Sequence, residues 1–107
     1  PENALSYSNR GGTLLDLNQP ERAIQDLDKA INVDPDFAEA CARRAAAYTM
    51  LGNLDTALND YGKLISINPG YTEAYFSRGS LHDRLGDLQL AIALKTRPSV
   101  DESSACL

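Results

Sequence analysis

One period, the interval from Pro35 to Pro69, runs through this chain, and few folds can carry it. The segment Asn32-Val33-Asp34-Pro35-Asp36-Phe37-Ala38-Glu39-Ala40 returns across that interval as Ser66-Ile67-Asn68-Pro69-Gly70-Tyr71-Thr72-Glu73-Ala74. The same interval separates Ala23, Ala57 and Ala91, then Gly11, Ala45 and Gly79, then Arg10, Arg44 and Arg78. Leu17, Leu51 and Leu85 keep it as well, and so do Ile24, Leu58 and Ile92. Several independent columns holding one period mark an array of small units, each burying its apolar face against the next. About three such units is near the minimum for stability.

Each unit reads as two helices. Tyr7, Gly11, Leu14 and Leu17 fall at helical spacing. Asn18 stops that helix, and Pro20 suits the first turn of the next. Ala23, Ile24, Leu27, Ala30 and Ile31 then form a second stripe. Asp34-Pro35-Asp36 breaks the chain, because the residue before a proline avoids helix and Asp caps a new start. The pattern predicts the same turn at Gly52-Asn53 and again at Gly86-Asp87. The small residues Gly11, Ala45 and Gly79 mark where paired helices cross closely.

Composition narrows the function classes. With 107 residues, 10 Lys+Arg against 15 Asp+Glu and a net charge of −5, the chain lacks the basic excess of a general nucleic-acid or anionic-membrane binder. No apolar run approaches the roughly 18 residues of a membrane span, and no signal-peptide pattern is present. Two cysteines, Cys41 and Cys106, form neither a disulfide framework nor a four-ligand zinc site. They read as reduced thiols of an intracellular protein, cytoplasmic by default. Cys41 falls among the packing columns as a small hydrophobe. Since the chain opens on Pro1, the expectation is an excerpt of a longer protein.

Little in the chain suggests catalysis. Its one histidine, His82, shares a column with Leu14 and Tyr48 and is expected to pack between helices. No HExxH pattern, phosphate-binding glycine loop or metal-spaced Cys/His cluster occurs, and Gly11-Gly12 lies inside a helix. Neither an enzyme nor a cofactor is expected. The ladder Arg10, Arg44, Arg78 tempts a reading as a basic stripe. However, Asp26 follows Arg10 at the same offset as Asp60 follows Arg44, so antiparallel helices can join each pair. Arg78 meets Leu94 in that register and is expected to lack such a partner.

These columns resemble the tetratricopeptide repeat family, whose unit is a 34-residue helix–turn–helix. Gly11, Ala45 and Gly79 match its small residues, Ala23 with Leu27 and Ala57 with Tyr61 match its second helix, and Pro35 and Pro69 match its closing proline. Tyr7 and Tyr75 keep an aromatic at the family's opening Trp column, whereas Cys41 does not. The resemblance implies an all-α fold: an α-solenoid of about three antiparallel helix–turn–helix repeats in a right-handed superhelix, with the last helix curtailed. The units are 4–37, 38–71 and an incomplete 72–92. Residues 93–107 form a divergent polar tail, read as a linker or a segment foreign to the array, because Leu94, Lys95 and Pro98 stand where the pattern asks for an acid, an apolar residue and a small or apolar one.

In this family the first helices line a concave surface. The implied groove is Leu5, Ser8, Asn9 and Gly12, then Ala42, Arg43 and Ala46, then Phe76, Ser77 and Ser80, with Glu39 and Glu73 alongside. Asn9 offers both a donor and an acceptor to a peptide backbone, Arg43 offers a fork to a carboxylate, and Phe76 an apolar anchor. In the chain as it stands the family's carboxylate clamp for chaperone tails is missing, since its positions hold Ser8, Gly12, Arg43, Glu73 and Ser77; only with a further repeat before Pro1 would Asn9 and Arg43 fall into clamp positions, with Glu39 in place of the Lys. The resemblance therefore implies a non-enzymatic protein–protein interaction module that binds a peptide or partner helix, without nucleic acid or membrane. The alternative is a structural, self-associating segment of a scaffold protein. It would form a homodimer through the uncapped third repeat, where Leu81, Leu85, Leu88 and Ile92 are expected to have little cover.

Overall fold

In the computed structural model, residues 3–96 are described, with side chains through Ile92. The architecture is all-α: α1 (Ala4–Asp16), α2 (Pro20–Val33), α3 (Ala38–Met50), α4 (Leu54–Ile67) and α5 (Thr72–Thr96), with no strand among the described residues. Helix α1 packs on α2 and α3 on α4 as hairpins, while α2 against α3 and α4 against α5 stack one unit on the next.

The turns follow from local chemistry. The Asn3 carboxamide accepts from the Ser6 N–H at 2.8 Å and starts α1. Between paired helices the chain reverses through a left-handed residue, Asn18 at φ 60° in the first unit and Gly52 at φ 80° in the second. Pro20 then opens α2, where its missing N–H leaves no bond unmade. Between units, Asp34 Oδ1 accepts from the Asp36 N–H at 3.2 Å, and Asn68 Oδ1 accepts from the Gly70 N–H at 3.1 Å. One side-chain device, repeated a period later, makes both bends.

The core is built from the repeat columns. Ala23, Leu27, Ala30, Cys41, Ala45, Ala57, Leu64 and Ala74 are fully buried. Alanines let the helix axes approach, and Leu27 and Leu64 fill what remains, each stabilising by roughly 1.5–3 kcal/mol through burial. At Gly11 a Cβ would stand 2.7 Å from Leu27 Cδ2, so only glycine admits α2 at that distance.

The third unit departs from expectation. No turn forms at Gly86-Asp87, and α5 runs as one 25-residue helix. Its length of about 37 Å overshoots the 14-residue α4 by about 16 Å. The first two reversals are held by the helix that returns, whose Asp and Leu or Tyr dock on its partner; the third register holds Leu94 and Lys95 instead. With nothing to dock, the chain keeps its helical hydrogen bonds through Gly86. This corrects the placement of His82, which is exposed because no helix among the described residues returns over it. It also corrects Leu81 and Leu85: α4 leaves Leu81 3% exposed and Leu85 half-buried, while Leu88 and Ile92 stand open. The expectation for the tail from residue 97 onward lies outside the described residues.

Candidate functional site

The face made by α1, α3 and α5 carries the groove positions, and Arg43 organises it. Its Nη1 donates to the Ser8 carbonyl at 2.8 Å and the Ser8 hydroxyl at 2.9 Å, and reaches Asn9 Oδ1 at 3.4 Å. Its Nη2 pairs with Glu39 one turn back on α3. The guanidinium lies across Gly12, where a Cβ would come within 3.0 Å of Arg43 Nε. Arg43 is thus a strut that ties the second unit to the first, with one edge still open to the groove.

Two concavities flank this strut. One of about 430 Å³ lies between α1 and Arg43, lined by Asn9, Gly12, Thr13, Leu15 and Asp16. The other, about 330 Å³, lies between α3 and α5 and is lined by Glu39, Ala42, Arg43, Ala46, Tyr61, Tyr71, Glu73, Ala74 and Ser77. A third hollow of about 290 Å³ joins Thr49, Tyr61, Phe76, Ser77, Ser80, Leu81 and Arg84. Burial pushes the Tyr71 phenol up from its ordinary value, and the carboxylates of Glu73 and Glu39 add to the shift. Tyr71 therefore offers a neutral O–H throughout the physiological range.

Of the expected lining, Asn9, Gly12, Ala42, Arg43, Ala46, Phe76, Ser77 and Ser80 border these hollows. Phe76 is 82% exposed, which decides against a ring packed on the neighbouring helix. Ser8 is corrected: it is 0% exposed, sealed beneath Arg43, and acts as a strut point only. Leu5 stands exposed near the start of α1 and borders none of the three hollows. Tyr61, Tyr71, Thr49 and Arg84 were not foreseen. Tyr71 occupies the column of Phe37, so its place in the bend was readable; the reach of Tyr61 from the second helix was not.

Beneath the groove lie the ion pairs. Arg10 donates to both oxygens of Asp26 at 2.7 and 2.9 Å, and Arg44 to both oxygens of Asp60 at 2.9 Å, as their common spacing predicts. Arg44 also reaches Asp28 on α2 at 2.9 Å. Its pKa is raised, chiefly by the Asp60 hydrogen bonds, against the opposing effect of burial. Among the described residues no group of three His, Cys, Asp or Glu could hold a metal ion, and no helix is long and apolar enough to cross a membrane.

Two family models match, one described as a tetratricopeptide repeat over residues 4–37 and one as a TPR repeat over residues 45–86. The chain belongs to the tetratricopeptide repeat family. The Protein STIP1 homolog of Dictyostelium discoideum is 38% identical over 55 residues, 51% of this chain and 10% of that protein. The Heat shock protein sti1 homolog of Schizosaccharomyces pombe is 39% identical over 51 residues, 48% of this chain and 9% of that protein. The chain thus spans about a tenth of the length of these relatives. Among solved structures, the second TPR of Spaghetti (RPAP3) bound to the HSP90 peptide SRMEEVD aligns with TM-score 0.76 and 30% identity, covering 82% of each chain. The second TPR domain of human RPAP3, in complex with the HSP70 peptide SGPTIEEVD, gives TM-score 0.72 and 32% identity, covering 75% of this chain and 67% of that one.

Proposed function

We propose that this chain is a non-enzymatic interaction module that holds a peptide or partner helix in the groove of α1, α3 and α5. The observation that carries this reading is a pair of adjoining hollows that share Tyr61 and Ser77, one bordered by the preset hydrogen-bonding groups around Arg43 and the next by an open aromatic, Phe76. A surface held in place before binding loses little entropy when occupied, which favours affinity from modest contacts. The similar RPAP3 domains that take HSP90 and HSP70 peptides support a peptide ligand. Here, however, Glu39 and Glu73 bracket Arg43, so the groove disfavours an acidic tail and suits a peptide with a neutral or basic segment and an apolar side chain for Phe76.

The test is peptide display selection on the full chain, followed by titration of the best peptide. Phe76→Ala should weaken binding by about tenfold or more without loss of stability, since the ring is already in solvent. Arg43→Gln, which loses the strut to Ser8 and Glu39, should weaken it too. Unchanged affinity in both variants sinks the reading, and so does an SRMEEVD peptide that outcompetes the selected one.

A second reading, self-association as a structural segment, is favoured by the open side chains of Leu88, Leu90 and Ile92 on the overhang of α5. Light scattering over a hundredfold concentration range separates the two. A dimer that Leu88→Glu dissolves supports self-association, and a monomer throughout removes it.

A further inference from the structure

The first and third units present the same side chains to different neighbours. Arg10 lies over the Tyr7 ring, 5.6 Å from its centroid, and grips Asp26 of the returning α2. Arg78 lies over Tyr75 at 5.5 Å, the same pose two periods on, yet no carboxylate among the described residues joins it. Both acids that serve Arg44 are replaced in its register, Asp60 by Leu94 and Asp28 by Gly62. Gly11 is filled by Leu27, whereas a Cβ on Gly79 would meet nothing within 4 Å. Tyr75 is 44% exposed and His82 open, though Tyr7 and Leu14 in their columns pack against the core.

We propose that this face of α5, Tyr75, Arg78, Gly79 and His82, is a docking site for an amphipathic helix supplied by another protein. The repeat itself specifies the occupant. On α1 the cover is Ala23, Asp26, Leu27 and Ala30, and on α3 it is Ala57, Asp60, Tyr61 and Leu64. A fitting helix carries Ala, then Asp three residues on, then Leu or Tyr, so that the apolar side chain enters the notch over Gly79 while the carboxylate meets the Arg78 fork. Residues 88–98, which hold the returning-helix register, are a poor match, because Ala91 keeps its column but Lys95 would bring a like charge toward Arg78. A second copy has both of its fitting helices, α2 and α4, sealed in their own hairpins. The site stands about 60° or more around α5 from the groove residues Phe76 and Ser80, at 100° per residue, so it works independently of the peptide groove.

The probe is a capped, fluorescent peptide with the sequence of residues 19–34, since the first unit shares Tyr, Arg and Gly with the third. The full chain should raise its polarisation saturably at protein concentrations up to about 1 mM. Arg78→Glu in the protein, or Asp26→Lys in the peptide, should weaken binding roughly tenfold or more, and the two together should restore it. Gly79→Leu should fill the notch and abolish binding while leaving the unfolding transition intact. Absence of binding overturns the proposal, as does binding indifferent to the charge swap. Loss on Arg10→Glu but not on Arg78→Glu would mean the peptide merely exchanges with α2, and would also overturn it. So would a dimer in which a second copy occupies the face, or nuclear Overhauser contacts placing Ala91 against Gly79 of the same chain.

Discussion

Arg44 holds Asp60 through two 2.9 Å hydrogen bonds and extends a third to Asp28, so one guanidinium joins α3 to the helix after it and the helix before it. Asp60 is buried, and so is Asp26, but Arg44 is mostly covered while the Arg10 side chain is about half in solvent. Removing Arg44 strands a buried carboxylate and unties two units. Arg44→Ala should destabilise by about 3–4 kcal/mol. Arg10→Ala, in a wetter setting, should lose about 1–2 kcal/mol. Urea unfolding of the two variants checks the order. Equal losses would mean that the Asp28 bond and the deeper burial contribute nothing.

The glycine column predicts opposite signs for one substitution. Gly11→Ala drives a methyl into Leu27 at 2.7 Å and should destabilise by about 1–3 kcal/mol. Gly79→Ala meets open space inside a helix and should stabilise by about 0.5–1 kcal/mol through helix propensity alone. Thermal melts decide. A loss at Gly79 like that at Gly11 would mean that a neighbour already packs there in solution.

The left-handed column makes the matching case for backbone. Gly52 sits at φ 80°, where a Cβ costs about 1 kcal/mol, so Gly52→Ala should lower stability although nothing crowds it. Gly86, one period later, is helical and exposed. Gly86→Ala should therefore raise both helicity and stability, by up to about 1 kcal/mol. Circular dichroism with denaturant titration reads both. A destabilised Gly86→Ala variant would restore the expected turn.

What the sequence made legible was whatever repeats. The period placed Asp26 opposite Arg10 and Asp60 opposite Arg44, assigned Gly11 to a close crossing, and put Cys41 in the core, because each depends only on position within a unit. Contacts between units were not readable. The reach of Arg44 to Asp28 and the sealing of Ser8 under Arg43 depend on how hairpins stack, and no column carries that geometry. The misplacement of His82 has the same origin. Its column packs only where a helix returns, and Leu94 and Lys95 remove the reason for one to do so. In the groove, Phe76 and Arg43 were visible as residue types at lining positions, whereas Tyr61 enters from a helix that the lining rule does not count.

The Cys41 thiol is fully buried, and desolvation pushes its pKa above the ordinary 9.0, opposed by the charges of Lys63 and Arg44. Below about pH 9 the thiol is protonated in both folded and unfolded chains, and its contribution is fully present. Above that, the unfolded thiol ionises first, so the folded form binds more protons and stability falls as pH rises. In a Cys106→Ser background, the stability gap between Cys41 and Cys41→Ala should be constant from pH 7 to 8 and shrink by pH 10, measured by urea midpoints. The same background should leave Cys41 unreactive to a thiol reagent until urea unfolds the chain, because the thiolate is the nucleophile and the fold withholds it. A gap that widens with pH, or rapid labelling of the folded chain, would place that sulfur in contact with water.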